Sequence, residues 1–112
     1  MTGYLAPNIP AERVTPIVVR DELLKCFESA NKEFFAILNQ PATDEVVKNQ
    51  VRQFVTTVFK DCGVSFENPT KQGIVAAINQ CKANAEGMMG DKGAGVIRHH
   101  YAEMMKLVTK LH

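Results

Sequence analysis

Residues 43–63 read TDEVVKNQVRQFVTTVFKDCG, and whether they coil or extend decides the fold class. Gln53–Phe59 is rich in β-branched and aromatic residues, and as a strand it could pair with Val64-Ser65-Phe66 in a hairpin. Against this, Val47, Val51, Phe54 and Val58 recur at helical spacing, with Val55 and Cys62 beside them. That period runs through all 19 residues from 44 to 62, whereas strict alternation does not. Thr43 can cap the free amides, Asp44 and Glu45 suit the positive end of a helix, and Gly63 is a left-handed stop. The expectation is a helix.

Working back towards the N-terminus, Thr15-Pro16 opens another helix. Threonine supplies a cap, and proline at the first position gives up an amide that has no partner anyway. Val19, Leu23, Cys26, Phe27, Ala30, Phe34 and Ile37 form its stripe, which Leu24, Phe35 and Leu38 widen to roughly 160°. Such width points to a central helix or one that also faces a second chain. Asn31 lies inside the stripe, either as a buried polar residue that fixes register or as an exposed interruption. Asn39-Gln40-Pro41 ends the segment. Residues 1–14, with Gly3, Pro7 and Pro10, show no period and read as an extended arm, in which Tyr4, Leu5 and Ile9 are available for burial.

Working forward, Asn68-Pro69-Thr70 opens a third helix, capped by Asn68 or Thr70. Ile74, Ala77, Ile78, Cys81, Ala85 and Met88 line one face, and Gln72, Asn79, Gln80, Lys82 and Glu86 lie opposite. Gly87, Gly90, Gly93 and Gly95 break the pattern. A last helix from Gly95 to Leu111 carries Ile97, Tyr101, Met104, Val108 and Leu111 on one face, with Met105 and Leu107 flanking. Connections of four to seven residues favour antiparallel neighbours. The predicted fold is therefore all-α: an antiparallel up-down-up-down four-helix bundle over residues 15–112 with an N-terminal arm.

Composition fits one domain. The chain has 112 residues, 46% apolar and 22% charged, and its 13 basic and 12 acidic residues leave a net charge of +1. This is globular composition, without the basic excess of most nucleic-acid binders. Cys26, Cys62 and Cys81 are odd in number and too widely spaced for a zinc knuckle or a redox dithiol, which fits a reducing cytoplasm. The N-terminus lacks the pattern of a signal peptide, and no apolar run approaches a membrane span.

Few constellations carry chemistry. His99 and Glu103, four apart, could be two metal ligands, but no Glu-x-x-His pair supports a di-iron site and no metal or cofactor is expected. His100 reads as a boundary residue with a backbone partner, and Cys81 as an inert core thiol. The Gly90–Gly95 turn could cradle a phosphate at a helix N-terminus, with Lys92, Gly93, Gly95 and Arg98 as the anion site, although it matches no nucleotide fingerprint. From Lys92 to His112 there are four basic residues and one acid. Leu24, Phe35, Leu38, Met89 and Met105 are the candidate interface residues, since surplus apolar surface marks interaction sites. The resulting functional expectation is a non-enzymatic interaction module, self-associating as a homodimer or meeting another protein. The alternative is a binder of a phosphate-bearing ligand or nucleic acid through the glycine turn and the basic last helix.

Overall fold

Three threonines start three helices. Thr15 Oγ1 accepts the amide of Val18 at 3.2 Å, Thr43 that of Val46 at 3.3 Å, and Thr70 that of Gly73 at 3.0 Å. Each satisfies one of the donors that a helix start leaves free. In this computed structural model, which describes residues 14–111, they open α1 (Pro16–Ile37), α2 (Asp44–Asp61) and α3 (Lys71–Met89). A 3₁₀ turn, Gly90–Gly93, leads from α3 directly into α4 (Ala94–Thr109). Among the described residues there is no strand, and no helix is long and apolar enough to cross a membrane.

The described residues are helical as expected, but no loop separates the last two predicted helices. Lys71–Thr109 is one unbroken helical stretch that folds back on itself, so the described residues form three helical bodies joined by two loops. The N-terminal arm lies outside the described residues, save for its last residue, Val14, which is buried in the core.

α1 and α2 end in the same way. After α1, the amide of Asn39 donates to Ala36 O at 3.1 Å and that of Gln40 to Phe35 O at 2.9 Å. After α2, Gly63 donates to Lys60 O at 3.0 Å and Val64 to Phe59 O at 2.8 Å. These paired bonds close a Schellman motif, which needs a left-handed residue, and Asn39 and Gly63 stand there at φ 56° and 70°. Asn39, rather than Pro41, therefore turns α1 off. The 53–66 segment resolves as helix followed by this turn, with no hairpin. Val51, Val55, Val58 and Phe59 are all buried, and that burial outweighs the strand preference of their side chains.

The core is apolar. Val19, Leu23, Cys26, Phe27, Ala30 and Phe34 of α1 meet Ile74, Ile78, Cys81 and Ala85 of α3 and Ile97, Tyr101, Met104 and Val108 of α4. Phe27 and Tyr101 meet edge to face with centroids 5.9 Å apart. The α2–α3 loop is clamped through Phe66. Its ring lies against Phe59, Arg20 and Arg52 stand over it at 4.7 and 5.5 Å, and Arg20 also donates to its carbonyl at 2.6 Å.

Three details differ from the sequence expectations. The stripe of α1 is narrower than its composition implies: Leu24 and Phe35 are half-buried against the core, while Ile17, Ile37 and Leu38 are exposed. Met88 lies on the core stripe of α3 yet is 64% exposed, and Met89 takes the buried place. The tight turn is the cause, because Gly93 packs directly over Met89. Asn31 bonds its own helix, donating to Phe27 O at 2.8 Å, and reaches no other. Of the two caps the sequence offers for α3, Thr70 is the one used.

Candidate functional site

The closeness of α3 and α4 depends on two glycines. Gly90 takes φ 59°, which frees the chain to reverse after Met89. At Gly93 an added Cβ would stand 2.6 Å from Met89 Cβ, so only hydrogen fits there. With so short a turn the two helices lie side by side and enclose an open groove of about 640 Å³ on the outer face of the molecule. Its floor is Ile78, Ile97 and Tyr101, all buried, with Ala94, Ala102 and the more exposed Met105. Its rim is Asn79, Lys82 and Glu86 from α3, Asp91 from the turn and Arg98 from α4. Lys82 and Glu86 are one turn apart and share a helix face. None of Lys82, Glu86, Asp91 and Arg98 takes part in the ion pairs among the described residues.

The residues proposed for an anion site do not converge. Gly93 is buried beneath Met89 and Phe34, while Lys92 and Gly95 are exposed. The amide of Ala94 already donates to Asp91 O within the 3₁₀ turn, and the Asp91 carboxylate adds negative charge beside the start of α4. Arg98 is turned instead to the groove. Of the interface candidates, Met105 lines the groove and Leu38 is exposed elsewhere. Met89 is a core residue, a correction that follows from the packing of Gly93.

Two polar clusters border the core. His100, expected at the boundary with a backbone partner, is 2% exposed, and its Nε2 bonds the carboxylate of Glu33 on α1. This tie joins helices 67 residues apart in sequence, and no local pattern announces it. The second cluster surrounds Cys26. Burial pushes its thiol up to about 12, with smaller contributions from the carboxylates of Glu22 and Glu103. Each carboxylate is held by a lysine, Glu22 by Lys25 at 3.4 Å and Glu103 by Lys106 at 3.5 Å, and Glu22 Oε2 is buried without a partner.

Burial likewise raises the Cys81 thiol to about 12 and holds the Tyr101 hydroxyl well above its ordinary range. Both thiols are protonated near neutrality, the opposite of an activated nucleophile. His99 stacks edge-on against His100, with ring centroids 5.0 Å apart. Among the described residues no three His, Cys, Asp or Glu side chains are placed to hold a metal ion. Compared with models of known protein families, with curated proteins and with solved structures, the chain matches none.

Proposed function

We propose that the chain is a non-enzymatic interaction module that works by protein contact, most simply by self-association. The observation that carries this reading is the α3–α4 groove, an apolar floor edged by charges that form no ion pair among the described residues. An apolar strip rimmed by polar groups is the usual form of a protein contact surface. No activated nucleophile lines the groove, and the Cys26 and Cys81 thiols are held protonated by burial.

Counting α3 and α4 separately, the framework reads as an antiparallel up-down-up-down four-helix bundle. Supporting this, Cys26, Glu33 and Phe34 ascend α1 while the groups near them, Glu103, His100 and Gly93, descend from α4 into the turn. The odd, widely spaced cysteines support a cytoplasmic setting.

The test is sedimentation of the full chain over a wide concentration range. A reversible monomer–dimer equilibrium is expected. A monomer at every concentration overturns the reading.

A further inference from the structure

We infer that the α3–α4 groove is where two copies of this chain meet, related by a two-fold axis that crosses α3 midway between Lys82 and Glu86. The inference rests on the self-association proposed above and assigns it a face and a register.

Charge is the first argument. The rim carries two cations, Lys82 and Arg98, and two anions, Glu86 and Asp91, and none of the four forms an ion pair among the described residues. A balanced rim suits neither a polyanion nor a polycation. It suits a copy of itself, because a two-fold contact sets the same patch against itself in reverse. When two copies of α3 run antiparallel across such an axis, residues equally far from it on either side come face to face. An axis midway between Lys82 and Glu86 therefore places Lys82 of each chain opposite Glu86 of the other. Both pairs form in one docking step. Arg98, on the opposite rim, adds a second cation towards the incoming Glu86.

Shape is the second argument. Ala94 and Ala102 of α4 line the groove. Small side chains there let a second helix approach closely. Seated in the groove, the partner's α3 would cover Met105, which is 36% exposed, beneath the charge pairs.

Charge reversal tests this on the full chain by sedimentation equilibrium at low salt. Lys82→Glu and Glu86→Lys are each expected to weaken dimerisation by roughly tenfold, since two attractive pairs become two repulsive ones. The double reversal recovers much of the lost affinity, held short of wild type because Arg98 then meets a cation at position 86, and an equimolar mixture of the two single variants associates more tightly than either alone. Both sites are exposed, and unchanged thermal melts establish that the variants fold. A wild-type dimer that neither reversal weakens overturns the assigned face and leaves self-association standing. Weakening without rescue in the double variant and the mixture overturns the register. A wild-type chain that stays monomeric overturns both this inference and the function it rests on.

Discussion

Gly93→Ala tests the turn that builds the groove. The added Cβ would lie 2.6 Å from Met89 Cβ, 3.1 Å from Met89 Cγ and 3.4 Å from Phe34 Cε1. Carbon atoms in good contact sit at about 3.5–4.0 Å, so the closest approach is roughly 1 Å too short. Met89 Cβ is fixed to the α3 backbone, and Met89 and Phe34 are both buried, so no side chain can swing aside. Relief requires α3 and α4 to move apart at the turn. Forcing atoms into a packed site costs about 1–3 kcal/mol. The backbone at Gly93, φ −97° and ψ 0°, is open to alanine, so there is no conformational penalty. Reduced freedom of the unfolded chain returns about 0.4–1 kcal/mol. The net expectation is a loss of about 1–2 kcal/mol, and at about 4–8 °C per kcal/mol the melting temperature falls by roughly 5–15 °C. Gly95→Ala is the control two residues on. It lies in α4 with nothing within 4 Å of the added atom, so it is expected to stabilise by up to about 1 kcal/mol. Thermal and urea unfolding followed by circular dichroism measure both. If Gly93→Ala melts at or above the wild type, the packing of the turn on Met89 is wrong.

Further outcomes follow from the same packing. Gly63→Ala meets nothing within 4 Å but must hold φ 70°, so it is expected to lower stability by about 1 kcal/mol from backbone strain alone. Urea titration checks this, and an unchanged midpoint counts against the left-handed cap. Glu33→Ala removes the carboxylate bonded to the buried His100 and is expected to cost about 1–2 kcal/mol, whereas an unmoved transition would show that the tie between α1 and α4 contributes nothing. With a thiol reagent at mildly alkaline pH, half-buried Cys62 is expected to react first and Cys26 and Cys81 only on unfolding; equal rates for all three would refute their burial. The raised thiols also set a pH dependence. Folded Cys26 and Cys81 keep their protons to about 12, against an ordinary value of 9.0, so above 9 the unfolded chain binds fewer protons. Stability is then complete below pH 9 and falls as pH climbs towards 12, and unfolding midpoints flat across that window would contradict the sign.

The features legible in the sequence were those decided within one turn of helix. Thr15, Thr43 and Thr70 each sit three residues before the amide they bind, and Gly63 is the residue a left-handed stop favours. The valine-rich stretch of α2 was legible because a 3.6-residue period survives β-branched side chains that local preference alone would extend. What escaped depends on partners distant in the chain. Nothing near His100 points to Glu33. Whether Met88 or Met89 is buried depends on how closely Gly93 returns to α3, and the width of the α1 stripe depends on how far its neighbours reach. Asn39 was missed for a local reason, since Pro41 gave a sufficient account of the helix end. At the candidate site, Arg98 and Met105 stood out in the sequence. Lys82 and Glu86 read as an ordinary solvated face, and only the adjacency of α4 makes them a rim.

The last 21 residues carry four basic side chains and one acidic one, and read along the chain they form a cationic helix. In the folded molecule that excess does not gather into a surface. Lys106 is bound to Glu103 and His100 to Glu33, and Arg98 faces a groove whose other rim holds Glu86 and whose end holds Asp91. Only Lys92 and Lys110 stand exposed and apart from these pairs, near opposite ends of α4. A phosphate backbone binds through cations gathered along one face, and binding weakens with salt in proportion to their number. Two lysines separated by the length of a helix do not meet that requirement. The acids that cancel the charge come from α1, α3 and the turn as well as from α4, so the balance is a property of the fold. The same balance, with both Lys82 and Glu86 on the α3 rim, is the feature on which the proposed contact between two copies rests.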